Sequence, residues 1–293
     1  MRPTSPLPHE PDLRRALERV LGGRSKIHLP AATGLHRRRP ESHFHATPEF
    51  FFQAGGACDF ECPSGKFRVR TGDVCVIPAG VPHAETPIHL KSPYRSVVLM
   101  NHGFGFIALG GIEDAKQKIQ SVQVGDYPFG GQAFQCLELL HASRHREPQL
   151  RREYLRGLVA AFLSTILSEM HHPTSGVDTH TPAVVREAEK MVRVDISKAE
   201  LSVRGIAAQL GISADHLTRL FRKARGQSFA AWITRERVAL AKDLLLRPGH
   251  NVAEVGWTCG FSSSSYFIRI FRTHTGSTPK EWRQRTSQLR DSI

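Results

Sequence analysis

Between Lys26 and Leu99 the chain alternates short β-branched and aromatic runs with Gly and Pro. The runs include Phe50-Phe51-Phe52, Phe67-Arg68-Val69-Arg70, Val74-Cys75-Val76-Ile77 and Ser96-Val97-Val98-Leu99. Runs this short, punctuated by turn residues, predict a β-sandwich or barrel over residues 24–110, behind an N-terminal arm at 1–23. After Gly111 the texture changes. Gln132–Arg146 and Leu150–Met170 lack Pro and are rich in Leu and Ala, and Pro148 separates them, which predicts a helical hairpin within 111–171. Leu150, Tyr154, Leu158, Phe162, Ile166 and Met170 step by four and so share one helix face. Such a stripe marks burial without saying against what: it either packs on the barrel or forms a subunit interface. His171-His172-Pro173-Thr174-Ser175-Gly176 breaks helices and opens a linker at 172–180. Helical patterning resumes at Thr181-Pro182, read as a cap followed by a first-turn proline, and continues to 285, with a tail at 286–293.

Inside that last region one pattern occurs twice. Ile206-Ala207-Ala208-Gln209-Leu210-Gly211-Ile212-Ser213 is followed by Leu217-Thr218-Arg219-Leu220-Phe221-Arg222. Val255-Gly256-Trp257-Thr258-Cys259-Gly260-Phe261-Ser262 is followed by Phe267-Ile268-Arg269-Ile270-Phe271-Arg272. Each copy then reaches a Gly (Gly226, Gly276) and a Trp (Trp232, Trp282). A helix-turn-helix needs these residue types. The small residue (Ala207, Gly256) admits a close helix approach, and the glycine four positions on permits positive φ in the turn. An apolar residue then buries the turn, and a serine (Ser213, and Ser262 or Ser263) caps the second helix. Asn251-Val252-Ala253-Glu254 has capping-box form, whereas Ser202 lacks an acidic partner because Gly205 stands there. Ser228–Leu246 reads as one helix between the copies. At 1.5 Å per residue it spans roughly 28 Å, near the ~34 Å between successive major grooves on one DNA face.

Charge sharpens this reading. The net charge is +13; residues from 180 onward hold 19 Lys/Arg against 10 Asp/Glu, a balance of +9, and the larger first part only +4. Such a concentrated positive field suits phosphate backbone or anionic membrane. The turn glycines and the absence of a continuous apolar face argue against the membrane. No apolar stretch approaches the ~20 residues of a bilayer span, and Met1–Leu21 has no signal-peptide core, so a cytoplasmic address is expected. Cys58, Cys62, Cys75, Cys136 and Cys259 are odd in number and scattered, which predicts free, buried or half-buried thiols.

With these motifs in hand, residues 181–285 closely resemble the DNA-binding domain of AraC/XylS-type regulators. The resemblance implies seven helices, the second helix of each unit entering the major groove. Position by position, it implies that Asp215, Thr218 and Arg219 read bases from the first unit, and Ser264, Ser265, Ile268 and Arg269 from the second. Arg forks to guanine, Ser and Thr serve several bases, Asp215 would repel phosphate or accept from a cytosine amino group, and Ile268, apolar where many relatives are polar, would read a thymine methyl or read little. Arg222, Lys223 and Arg272 would hold phosphates and set register.

In the β-rich part, His43-x-His45-x-x-x-Glu49 precedes Gly56, and Gly72 precedes Pro78-x-Gly80-x-x-His83. Residues two or four apart on a strand share a face, so His43, His45 and Glu49 can point together, with His83 arriving from a neighbouring strand. The spacing resembles the two motifs of cupin barrels, with Arg37 where the first motif has glycine. Three imidazoles and a carboxylate suit Zn, Fe, Mn or Ni; without a metal, the same residues hydrogen-bond a small effector or fill the cavity. His28, His89, His102, Phe52, Phe60 and Phe67 are further candidates for the cavity wall.

The fold expected is therefore multidomain, β plus all-α: a cupin-like barrel, a helical dimerisation hairpin and a seven-helix domain with two helix-turn-helix units. The function expected is a non-enzymatic, ligand-responsive transcription regulator, read by resemblance as an activator. Its expected partners are a DNA operator, a small-molecule effector, a second copy of the chain and RNA polymerase. The competing reading is a metal-dependent cupin enzyme, a dioxygenase or isomerase, fused to a DNA-binding domain.

Overall fold

The computed structural model describes residues 9–31, 45, 47–88, 92–101, 106–113, 119–127, 131–140, 147–171, 181–246 and 251–291. They divide into two units, 1–31 with 47–177 and 32–46 with 178–293. His43, His89, His102, Arg37 and the linker 172–180 lie outside the described residues.

Among its described residues the first unit holds two sheets. The larger has the order β1-β5-β2-β7-β8-β9, and the smaller β4-β3-β6. Their strands are β1 (Ile27–His28), β2 (Glu49–Gly55), β3 (Ala57–Cys62), β4 (Gly65–Arg70), β5 (Val74–Ile77), β6 (Ala84–Ile88), β7 (Arg95–Asn101), β8 (Phe106–Glu113) and β9 (Ile119–Tyr127). The unbroken apolar run in β2 follows from its place. All seven of its residues are buried, because the strand is covered on both faces. Phe51 meets Phe60 of the small sheet, ring centroids 5.1 Å apart, while Phe50 and Phe52 face a core shared with helices.

Those helices are α1 (Glu10–Leu21), a 3₁₀ turn (Gly131–Phe134), α2 (Gln135–Glu138) and α3 (Pro148–His171). The expected stripe on α3 resolves into burial within its own unit. Phe162 and Ile166 are fully buried in this core, and the Phe162 ring lies 5.1 Å from that of Phe50. The start of the stripe departs, Leu150 being 62% exposed and Tyr154 only half-buried.

In the first unit, four features differ from the sequence expectation. The arm at 1–23 contains α1, whose Leu13, Ala16 and Val20 are buried on one face. The segment 111–171, read as helical, opens on strand: β8 runs to Glu113 and β9 follows it. Both were masked by Gly110-Gly111 in β8 and by a register shift beside Leu109, which interrupts the period of two. A Cβ on Gly111 would lie 2.5 Å from Ser96 Oγ, so this glycine serves close packing and does not mark a strand end. The first arm of the hairpin shrinks to the 3₁₀ turn and the four-residue α2 among the described residues. Finally, Phe52 does not line the inter-sheet space; Phe51 does.

The second unit has seven helices among its described residues: α4 (Ala183–Asp195), α5 (Val203–Gln209), α6 (Ala214–Arg225), α7 (Phe229–Leu245), α8 (Val252–Thr258), α9 (Ser264–Thr275) and α10 (Pro279–Asp291). Their starts follow side-chain chemistry. Ser202, Ser213, Ser228, Asn251 and Ser263 each accept from a backbone N–H three residues on, and Asn251 with Glu254 closes a full capping box. Ser263, not Ser262, caps α9, and Ser202 caps α5 without an acidic partner. Thr181 is one residue too early to cap α4, since Pro182 occupies the N-cap and offers no acceptor side chain. The repeated aromatics form the core: Phe221 packs on Phe229 at 4.8 Å, and Phe267 on Phe271 at 5.6 Å. A bidentate pair, Arg225 Nε to Glu189 Oε1 at 2.7 Å and Nη2 to Oε2 at 3.0 Å, ties the end of α6 to α4.

Candidate nucleic-acid interface and effector site

The two second helices, α6 and α9, are built alike. Each follows a positive-φ glycine, Gly211 at +68° and Gly260 at +78°, and each ends on another, Gly226 at +70° and Gly276 at +77°. Each presses one face into the core through two phenylalanines or a Leu-Phe pair: Leu217 and Phe221 on α6, Phe267 and Phe271 on α9. The opposite faces carry the residues expected to read DNA. Asp215, Arg219, Arg222, Lys223, Ser265, Ile268, Arg269 and Arg272 are exposed, and Thr218 and Ser264 are half-buried. Asp215, Thr218, Arg219, Arg222 and Lys223 line one concavity of about 460 Å³. Ser265, Ile268, Arg269 and Arg272 line another of about 660 Å³, together with Thr273 and Thr278.

Among the described residues, neither arginine probe is bound up in an ion pair. Arg219 Nη2 donates to His216 Nδ1 at 2.9 Å, and Arg269 lies over the Tyr266 ring, 5.4 Å from its centroid. Both neighbours hold the guanidinium while leaving its charge uncancelled. Sequence reasoning had missed His216, Tyr266, Thr273 and Thr278. His216 and Tyr266 sit three residues from Arg219 and Arg269 on the same helix face, a spacing that could have found them.

Two of the candidate effector residues belong to the first unit. Glu49 of β2 and His83 meet in the interior, His83 Nε2 to Glu49 Oε2 at 2.9 Å, with Glu85 Oε1 at 3.5 Å. His83 Nδ1 donates to the Val81 carbonyl at 3.0 Å, which turns Nε2 towards the carboxylates. Burial opposes charge on His83, but Glu49, by its charge and hydrogen bond, and Glu85 overcome it and raise the imidazole to about 9. Burial lifts the Glu85 carboxyl to about 7 despite His83 beside it. His45 belongs to the segment grouped with the second unit, where its Nδ1 donates to the Val194 carbonyl at 3.1 Å. His28 stacks on Phe67, and Phe67 on Phe60, so these three do line the space between the sheets. The cysteines are all free and buried or half-buried. Burial holds Cys58 and Cys62 at about 12, as neutral thiols.

Two protein-family profiles match the chain. One, described as an AraC-like ligand binding domain, covers residues 29–159, and the other, a helix-turn-helix domain, covers 206–285. The chain pairs an AraC-like ligand-binding domain with an AraC-type helix-turn-helix domain. The resemblance read from the repeated motif is thereby borne out. Among curated relatives, the regulatory protein PocR of Salmonella typhimurium is 29% identical over 121 residues, 41% of this chain and 39% of that protein. The transcriptional activator NphR of a Rhodococcus species is 30% identical over 127 residues, 43% and 38% of the two chains. The arabinose operon regulatory protein of Escherichia coli K12 is 32% identical over 99 residues, 34% of each. The match thus spans well under half the length of each relative. Among its described residues the chain has no helix long and apolar enough to cross a membrane.

Proposed function

We propose that this chain is a sequence-specific, ligand-responsive transcription regulator. One observation carries the proposal: α6 and α9, pinned alike by capping serines, turn glycines and buried phenylalanines, turn unneutralised arginines and small polar residues outward from the same unit. That is the requirement for two reading helices on one duplex. The inter-sheet space with Phe51, Phe60, Phe67 and the Glu49–His83 pair is the effector site of this reading, and no catalysis is assigned to it. An effector acts by favouring one arrangement of the domains. Activation follows NphR in kind, with RNA polymerase and a second copy of the chain as partners and the cytoplasm as its setting. Dimerisation through 111–171 would use Leu139, just after α2, and Leu150, at the start of α3, 52% and 62% exposed, because the rest of the α3 stripe packs within its own unit.

Arg219→Ala is expected to weaken operator binding by ~1–3 kcal/mol and to relax preference at one base position. A gel-shift titration against the operator and its single-base variants reads both. Unchanged affinity and unchanged preference would remove Arg219 from the reading face.

A resident metal, Zn, Fe, Mn or Ni, is compatible with the donors in the first unit. Of the four residues the spacing offers, His43, His45, Glu49 and His83, Glu49 and His83 would supply two of its ligands, the Val81 carbonyl accepting from the other ring nitrogen of His83 and so orienting the imidazole. When bound, such an ion would polarise an oxygen-bearing effector. Elemental analysis of protein purified without chelators or a metal-affinity step is expected to return close to one ion per chain. A value near zero leaves Glu49–His83 as an ion pair.

A further inference from the structure

A second charged cavity lies in the first unit, away from the inter-sheet space. Its volume is about 460 Å³, and its walls are the turn after α1 and the first turns of α3. Arg24, Lys26, Arg151, Arg152 and Arg156 line it, with Leu155 as apolar floor and no carboxylate among the described lining residues. Arg156 is committed to the fold: it donates to both Glu153 oxygens at 3.0 Å and to the Val20 and Leu21 carbonyls. The other four cations have no ion pair among the described residues. Arg151 Nε is buried and finds no hydrogen-bond partner there.

These charges are not free to spread apart. Lys26 is anchored by its own N–H to Asp73 Oδ1 at 3.3 Å, and Ser25 Oγ donates to the Gly72 carbonyl at 2.7 Å. The Arg24 carbonyl accepts from Arg19 Nη2 at 2.8 Å. Arg151 and Arg152 are fixed on a 24-residue helix with no acidic residue in its first turn. A backbone that holds four cations around one hollow, without counter-charge, sets up a potential that an anion would lower. Planar guanidinium forks match phosphate oxygens, and the volume is that of a small-molecule pocket, whereas a duplex needs an extended track.

We propose that this cavity binds a small polyanion bearing a chain of at least two phosphates, either free or as part of a nucleotide, and so joins the turn after α1 to α3. The site is independent of the regulator reading.

The test is calorimetric titration of inorganic triphosphate into the full chain in ~0.15 M salt, where bare surface charges are screened, with duplex DNA saturating the second unit. Saturable one-to-one binding is expected, falling at least tenfold in the R24Q/R152Q double variant and changing less than twofold in R222Q/R272Q. Retention of affinity in R24Q/R152Q would overturn the proposal, and so would its loss in R222Q/R272Q or full displacement by duplex. In a parallel titration, adenosine triphosphate binding more tightly than triphosphate assigns a nucleotide source, and equal or weaker binding assigns the free phosphate chain. Gel-shift affinity measured on R24Q/R152Q separates this outcome from failure of the DNA-binding reading, because it should be unchanged.

Discussion

Arg225→Ala is expected to destabilise the second unit by about 3–5 kcal/mol, the cost of leaving one partner of a buried ion pair alone. Glu189 is 1% exposed, and Arg225 reaches it with two parallel N–H donors. Removing the guanidinium strands a carboxylate that water cannot reach. The measurement is convenient, because all three tryptophans, Trp232, Trp257 and Trp282, belong to this unit, so urea unfolding followed by their fluorescence reports on it alone. Replacing both partners by apolar residues of similar volume, R225M with E189L, should recover most of the loss. If R225A unfolds with the wild-type midpoint and slope, the pair contributes nothing and the anchoring of α6 on α4 rests on packing alone.

Gly260→Ala and Gly211→Ala occupy equivalent turns and are expected to differ. Both glycines have positive φ, so each substitution costs about 1–2 kcal/mol for placing an L side chain in the left-handed region. At Gly211 nothing lies within 4 Å of the added Cβ. At Gly260 the Cβ would meet the Ile196 carbonyl oxygen at 2.6 Å and the Arg237 guanidinium at 2.8 Å. Arg237 itself holds that loop, donating to the Ile196 and Lys198 carbonyls at 3.2 and 2.7 Å. Displacing backbone there adds about 1–3 kcal/mol, as overpacking does in a core. Equal unfolding midpoints for the two variants would contradict this account.

What could be read from residues alone follows from how locally each part is determined. The second unit was legible because its turns depend on nearby chemistry: Gly211 and Gly260 for φ, Ser213 and Ser263 for caps, and phenylalanines at helical spacing for the core. The charged faces of α6 and α9 were legible for the same reason, since a residue's helix face is fixed by its neighbours. The first unit was harder. Strand pairing joins residues far apart, and Gly110-Gly111 with the shift beside Leu109 hid β8 and β9. In α1 the apolar spacing of Leu13, Ala16 and Val20 was present, but Pro and Arg residues around it suggested an arm. Glu49 and His83 could be paired from spacing because both lie at strand ends facing one interior. The cavity lined by Arg24 and Arg152 could not be, because its walls are 128 positions apart and no motif joins them.

The double burial of β2 has a mechanical consequence. Phe51 looks into the aromatic chamber and Phe50, one peptide away, bears on Phe162 of α3. A guest in that chamber is separated from the long outer helix by the thickness of a single strand. Any shift the guest imposes on the backbone at Phe51 must be taken up by a wall already packed tight on its far side, so occupancy is felt as displacement of α3 with little slack between.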